Sequence, residues 1–293
     1  MYIRKKILFL LPLIFSLSVL SSDIEEIIVK GEYREKSLGE EDSSIVVIQS
    51  EQIKSQAIKH FQQLSHLVPN LNYAASDSRA RYFQIRGIGE RSGYQGTPNS
   101  SVGFLIDDID YSGQGGIATL FDVDQVEVFR GPQGSRSGAN ALAGLIYIKT
   151  KDPTEKFEGT SELTLGDYGT QNIGIAFGGP MQNKKLKYRL VLRTDYADGF
   201  RKNTYLNKSD TSKKDELTLR YKLNWELNET TNLDFLVSKV DMDDPADIWT
   251  IDGSLNTLSD RPGMDSQNTN SYGIKITKDF SNFTVQSLTS ATN

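Results

Sequence analysis

Chemistry needs reactive side chains, and this 293-residue chain has few of them. It contains no cysteine, which excludes disulfide frameworks, thiol nucleophiles and thiolate metal sites. His60 and His66 are its two histidines, too few for a multi-histidine metal or haem centre. Gly134-Ser135-Arg136-Ser137-Gly138 has the outline of a nucleophile elbow, but arginine stands where the serine must be. Gly87-Ile88-Gly89 lacks the third glycine and the strand-to-helix context of a dinucleotide fingerprint. Asp241, Asp243, Asp244 and Asp247 are close in sequence, but Pro245 and Ala246 break the ligand spacing of a calcium loop. A solvated loop is the favoured reading of that stretch, with Ca²⁺ held in an extracellular loop as its alternative. The expectation is therefore no enzyme: no catalytic residue, no cofactor and no metal site.

Which elements could carry a non-covalent function instead? Met1 to Ser22 opens with Arg4-Lys5-Lys6, continues through an apolar run of 14 residues from Ile7 to Leu20, and closes on Ser21-Ser22. That is the pattern of a secretory signal peptide. The run is interrupted by Pro12 and falls short of the ~20 residues that span a bilayer. No other window reaches that length, so a membrane role has to use a β-barrel. The net charge of -5 and the scattered basic residues argue against a nucleic-acid partner.

Residues 23–42 form a short charged arm around the apolar cluster Ile24 to Val29, expected to be extended and mostly mobile. Residues 43–152 read as an α+β domain. A short strand at Ser44 to Ile48 precedes a helical stretch, capped by Ser50, in which Ile53, Ile58, Phe61, Leu64 and Val68 share one face. Short strands separated by glycine-rich loops, 89–98 and 112–116, follow. Residues 157–293 alternate apolar and polar over about seven antiparallel segments, joined by short turns alternating with long loops. Such weak alternation with one-sided loops is the signature of a transmembrane β-barrel. A soluble β-sandwich is the alternative. Seven strands are too few for a large barrel, and the chain stops at Asn293 within an apparent strand, so a C-terminally truncated fragment with an incomplete barrel is expected.

Val126 to Ile148, with its Arg130-Gly131-Pro132-Gln133-Gly134 turn, closely resembles the end of the plug domain of TonB-dependent outer-membrane receptors. Ile85-Arg86-Gly87 is similar to that plug's central motif, and Phe104-Leu105-Ile106-Asp107-Asp108 to its strand before the second apical loop. Ile24-Glu25-Glu26-Ile27-Ile28-Val29 resembles a TonB box. The resemblance covers residues 24–150 and is weak beyond 157.

It implies an outer-membrane receptor for energy-coupled uptake of a scarce ligand, a ferric siderophore first, with cobalamin, haem, nickel complexes or oligosaccharide as alternatives. A free-standing plug-like periplasmic binding protein is the rival from another class. The implied partners are TonB of the inner-membrane energy-transducing complex, the ligand and outer-membrane lipid. Arg86 and Arg130 are expected inside a barrel lumen, where a guanidinium needs carboxylates. The resemblance implies barrel glutamates on later strands as that plug–barrel lock; the plug acids Asp107, Asp122 and Glu127 are the alternative partners. Arg91, Tyr94 and Gln95 on one apical loop, and Tyr111 and Gln114 on the other, are expected to face the ligand.

Overall fold

Short apolar runs bounded by turn residues become the strands of the first domain. The computed structural model describes residues 26–75, 79–93, 99–114, 117, 119–181 and 184–293. Residues 1–22, expected as a signal segment, Ile24 and Glu25 of the expected box, and Tyr94 and Gln95 of the expected first apical loop lie outside them. In the arm, β1 (Ile28–Val29) pairs with β2 (Lys36–Ser37). Next come β3 (Ile45–Gln49), helix α1 (Ser50–Ser55), a 3-10 helix (Phe61–Leu67), and the hairpin of β4 (Leu71–Ala74) with β5 (Tyr82–Ile85). β6 (Val102–Ile106), β7 (Ile109–Asp110), β8 (Val123–Phe129), the short helix α2 (Gly134–Ser137) and β9 (Gly144–Thr150) complete the domain.

Five of these strands form one mixed sheet in the order β3-β8-β9-β6-β7, with β6 and β9 parallel. One face of it packs with the helices and the β4–β5 hairpin into the main core, where Phe61 and Phe104 meet edge to face at 5.2 Å. The single helical stretch expected from Ser50 to Val68 is broken. Ala57 takes a left-handed φ of 51°, which a right-handed helix cannot continue through, and the chain resumes as a 3-10 helix at Phe61. Ser50 is the first helical residue and Gln49 holds the cap position. All five apolar residues of the periodic face are nevertheless buried.

The second region is an antiparallel meander of seven strands: β10 (Glu158–Leu165), β11 (Gln171–Pro180), β12 (Leu186–Ala197), β14 (Lys214–Asn228), β15 (Thr231–Pro245), β17 (Met264–Asp279) and β18 (Thr284–Thr292). Long connections, 198–213 and 246–263, leave one end. They carry β13 (Lys202–Asn203) and β16 (Asn256–Thr257), which pair in parallel and tie the two loops together. Turns 181–185, 229–230 and 280–283 close the other end. Consecutive strands pair, but β10 and β18 do not, so the sheet is an open arc of barrel strands.

The faces of this sheet settle what it is built for. Arg189, Arg193, Arg220 and Lys222 are buried, while Leu190, Leu219, Ile274 and Ile276 are exposed. A sandwich in water buries the opposite set. A polar inner face filled by a plug and an apolar outer face is the membrane-barrel arrangement. Among the described residues no helix is long and apolar enough to cross a membrane.

Candidate functional site

Three surfaces meet in this molecule: the arm, the plug-like first domain and the inner face of the wall. The arm is docked, which corrects the expectation of a mostly mobile segment. Leu38 N–H donates to the Ile27 carbonyl at 2.8 Å, and Gln125 Nε2 donates to that of Ile28 at 2.8 Å. Val29 is fully buried beside Phe129, Leu145 and Tyr147. Glu127 accepts the backbone N–H groups of Lys30 at 2.7 Å and Gly31 at 2.8 Å. Burial pushes the Glu127 carboxyl above its ordinary pKa, and the hydrogen bonds from Lys30, Gln125 and Gly31 partly offset this. Arg136 Nε donates to the Gly31 carbonyl at 2.8 Å, and its guanidinium lies 4.5 Å from the centre of the Tyr33 ring. Glu26 is exposed ahead of this attachment.

The contact between plug and wall joins apolar patches, Phe121 with Ala176 and Val191 among them, to a set of ion pairs. Asp122 receives Arg189 Nε at 2.7 Å, and Arg220 donates to the Phe121 carbonyl at 3.2 Å beside it. Lys222 Nζ reaches Asp107 at 2.9 Å, Asp152 at 3.1 Å and the Thr150 carbonyl at 3.1 Å. Lys275 lies 3.5 Å from Asp108. In the other direction, Arg79 pairs with Glu216, Arg81 with Asp265, and Lys59 with Glu162. Burial opposes ionisation of Asp107, but Lys222 and Lys149 outweigh it and hold the carboxyl below the usual range. Close approach is needed for these pairs, and small wall residues supply it. A Cβ at Gly174 would stand 2.7 Å from the Phe121 ring.

Arg86 and Arg130 are not among these pairs. Among the described residues neither has a carboxylate partner. Arg86 is exposed at a left-handed φ of 54°, and Arg130 has a buried Nε with no hydrogen-bond partner. The plug acids offered as their alternative partners are engaged elsewhere: Asp107 with Lys222, Asp122 with Arg189, and Glu127 with the arm. The wall cations were the missed signal. Lys187, Arg189 and Arg193 recur at even spacing along β12, as do Arg220 and Lys222 along β14, and one face of a strand is what that spacing defines.

The apical positions separate. Arg91 is exposed. Gln114 faces the wall and its Oε1 accepts from Gln267 Nε2 at 3.3 Å. Tyr111 corrects the expectation of a ligand-facing side chain. It is 3% exposed in the main core, because β7 carries it under the wall beside Leu236 and Val240. His60, Asp195 and Glu216 converge, His60 Nε2 being 3.3 Å from Glu216, but Arg79 occupies the same place and pairs with that glutamate. The acids 241–247 do not form one cage. Asp244 is buried toward the plug and accepts the Asp215 N–H, Asp247 binds Asn203 and Thr257, and Asp243 is exposed.

Residues 37–145 match the family described as the TonB-dependent Receptor Plug Domain, a span running from β2 into β9. The first domain is thus similar to the plug of TonB-dependent receptors. The pesticin receptor of Yersinia pestis is 25% identical over 192 residues, which are 65% of this chain and 28% of that receptor. The vitamin B12 transporter BtuB of Vibrio vulnificus is 25% identical over 158 residues, 50% of this chain and 26% of that transporter. In fold, the ferric yersiniabactin uptake receptor FyuA from Yersinia pestis superposes with a TM-score of 0.76 at 20% identity, covering 85% of this chain and 40% of that one. This chain thus spans under a third of the length of these curated relatives. Fold and relatives alike are those of transport receptors, not enzymes.

Proposed function

We propose that this protein is a TonB-dependent receptor that takes up a scarce ligand across the outer membrane, a ferric siderophore by first choice, using energy delivered by TonB. The observation that carries the reading is the inverted wall: cations and acids meet a plug on the inner face, while leucine and isoleucine stand outward where lipid would be. A free-standing periplasmic binding protein would leave that apolar face in water. The domain division is a signal peptide at 1–22, a box-bearing arm at 23–42, a plug at 43–152 and barrel strands from 157. Ligand binds at the extracellular end, over Arg91, Tyr94, Gln95 and Gln114, with Tyr111 acting as scaffold. Arg86 and Arg130 have their glutamate partners on wall strands beyond β18. The similarity to a pesticin receptor and to the FyuA fold supports siderophore cargo. The similarity to BtuB favours cobalamin as the second reading.

The test is transport by the intact receptor. Ile27→Pro removes a backbone donor from the box and bends the strand that must add to TonB's sheet edge. Uptake of radioactive iron as ferric siderophore is expected to stop while surface binding persists. Iron uptake at the parental rate would remove the box from Ile24 to Val29. Cobalamin uptake without iron uptake would decide for the second reading.

A further inference from the structure

The inner face of β14 carries its charges in a fixed order. Every second residue of the strand points inward, and from the loop end to the turn end these run Glu216, Thr218, Arg220, Lys222, Asn224 and Glu226. Lys214, at the mouth of the strand, precedes them. The signs from Glu216 on are therefore minus, plus, plus, minus. The plug answers the first three. Arg79, 3% exposed, pairs with Glu216, and His60 Nε2 stands 3.2 Å from that guanidinium and 3.3 Å from the glutamate. Asp122 lies 3.9 Å from Arg220, and Asp107 lies 2.9 Å from Lys222. Lys187 on the neighbouring wall strand holds Glu226 at 2.6 Å. β17 repeats the division: near its loop end Asp265 pairs with Arg81, and near its turn end Lys275 lies 3.5 Å from Asp108. Plug cations thus meet wall acids toward the loops, and plug acids meet wall cations toward the turns.

Two such series match in one position. A plug displaced four residues toward the turn end, about 13 Å of strand, has Arg79 opposite Arg220 and Asp107 opposite Glu226. Six residues the other way, about 20 Å, set Asp107 opposite Glu216 and Asp122 opposite Asp195. In either direction attraction turns into like-charge contact, on a face where burial keeps screening weak. We infer that β14 is a charge ruler: the sign order Glu216, Arg220, Lys222, Glu226 selects one register of the plug along the wall and disfavours the registers on either side. The inference goes beyond the proposed uptake and holds whatever the cargo is.

The chain has no native cysteine, so engineered pairs report the register. Gln114 of the plug meets Gln267 of the wall at 3.3 Å, and Gln114→Cys with Gln267→Cys reports the seated plug. Ser271 is buried on the same inner face, four residues nearer the turns, and Gln114→Cys with Ser271→Cys reports the displaced one. Both pairs are oxidised with copper phenanthroline in outer membranes carrying the intact receptor, and only barrels with heat-modifiable mobility are scored. In the parent the 114–267 disulfide is expected to form fast and the 114–271 disulfide slowly. Glu216→Arg sets a cation against Arg79 and should speed the 114–271 disulfide about tenfold or more, because a buried charge loses its partner. Adding Arg79→Glu restores an opposite pair and should bring the rate back to within about threefold of the parent. Asp265→Arg, with and without Arg81→Asp, repeats the exchange on β17 and decides if the first series does not assemble. Assembly of an exchanged variant where its single variant fails supports the ruler in the same way. Equal 114–271 rates in single and exchanged variants, exchanged variants that fail to assemble in both series, or fast 114–271 oxidation already in the parent would overturn it. The apolar contacts of Phe121 with Ala176 and Val191 would then be what seats the plug.

Discussion

The plug sheet and the wall sheet share a period of two and have opposite polarity. In β8 and β9 most buried residues are apolar, and Glu127 is a buried acid among them that needs special partners. In β12 and β14 the buried positions include Lys187, Arg189, Arg193, Arg220 and Lys222, and the outward ones include Leu190 and Leu219. The same alternation therefore folds two different things, depending on what fills each side. The plug is held internally by apolar burial, and held to the wall by charge pairs beside smaller apolar contacts. Such charge pairs are matched in position yet can be exchanged for water.

The largest effects should separate those two kinds of cohesion. Phe104→Ala empties a site packed by Phe61 and Phe83, and should cost the plug about 3–5 kcal/mol. Asp122→Ala leaves Arg189 and Arg220 buried without their acid, at about 3–5 kcal/mol. Hydrogen exchange on the intact receptor distinguishes them. The first variant should loosen β5 and β6 with the wall unchanged; the second should loosen the residues around 121–123 and the inner edges of β12 and β14. Identical exchange patterns would mean that plug and wall form one cooperative unit and that the contrast drawn here is wrong.

Next in size is the outer face. Leu190→Arg, midway along β12, puts a charge where lipid stands and should cost about 2–4 kcal/mol of barrel stability. Heat-modifiable mobility on gels reads this. A variant as stable as the parent would mean that this face is not in lipid.

Much of this contrast was legible beforehand. The seven alternating segments and the one-sided loops were read from local pattern, because strand period and turn residues are local properties, whereas the plug motifs were read from resemblance to a family. The helix break at Ala57 was not, since a left-handed residue between two apolar faces leaves the periodicity intact. Tyr111 was misread because a tyrosine at the start of a glycine-rich loop looks apical, while β7 in fact leads it under the wall. The pairing of Asp107 with Lys222, 115 positions apart, depends on how plug and wall dock, and no spacing rule encodes that. The docked arm was missed for the same reason: Glu127 and Gly31 are distant in sequence and unremarkable singly.

A smaller, graded effect should follow from pH. The Asp107 carboxyl is held below its ordinary value, so its contribution is fully present above the unfolded carboxylate pKa of about 3.9 and is lost as pH falls through the lowered folded value. Plug–wall contact should therefore be insensitive to pH near neutrality and weaken only in strong acid, with Asp107→Asn showing a weakened contact already at neutral pH. Protease cleavage of the plug, followed against pH, measures it. Weakening between pH 6 and 8 in the parent would count against Asp107 as the controlling group.

The smallest effect tests the comparison from its other side. Lys213 and Lys222 are both wall cations with acid partners, nine positions apart. Lys222 is buried against Asp107 and Thr150 of the plug. Lys213 stands before β14, 3.5 Å from an Asp215 side chain that is 55% exposed. Solvent screens that pair, and ordering two long side chains offsets most of its attraction, so Lys213→Ala should change stability by less than about 1 kcal/mol. Lys222→Ala leaves the buried plug carboxylate of Asp107 without its wall cation and should cost about 3–5 kcal/mol. Thermal unfolding of the two variants, side by side, gives the ratio. Equal losses would show that position relative to the plug does not matter, and the charge on the inner face would then be a property of the wall alone.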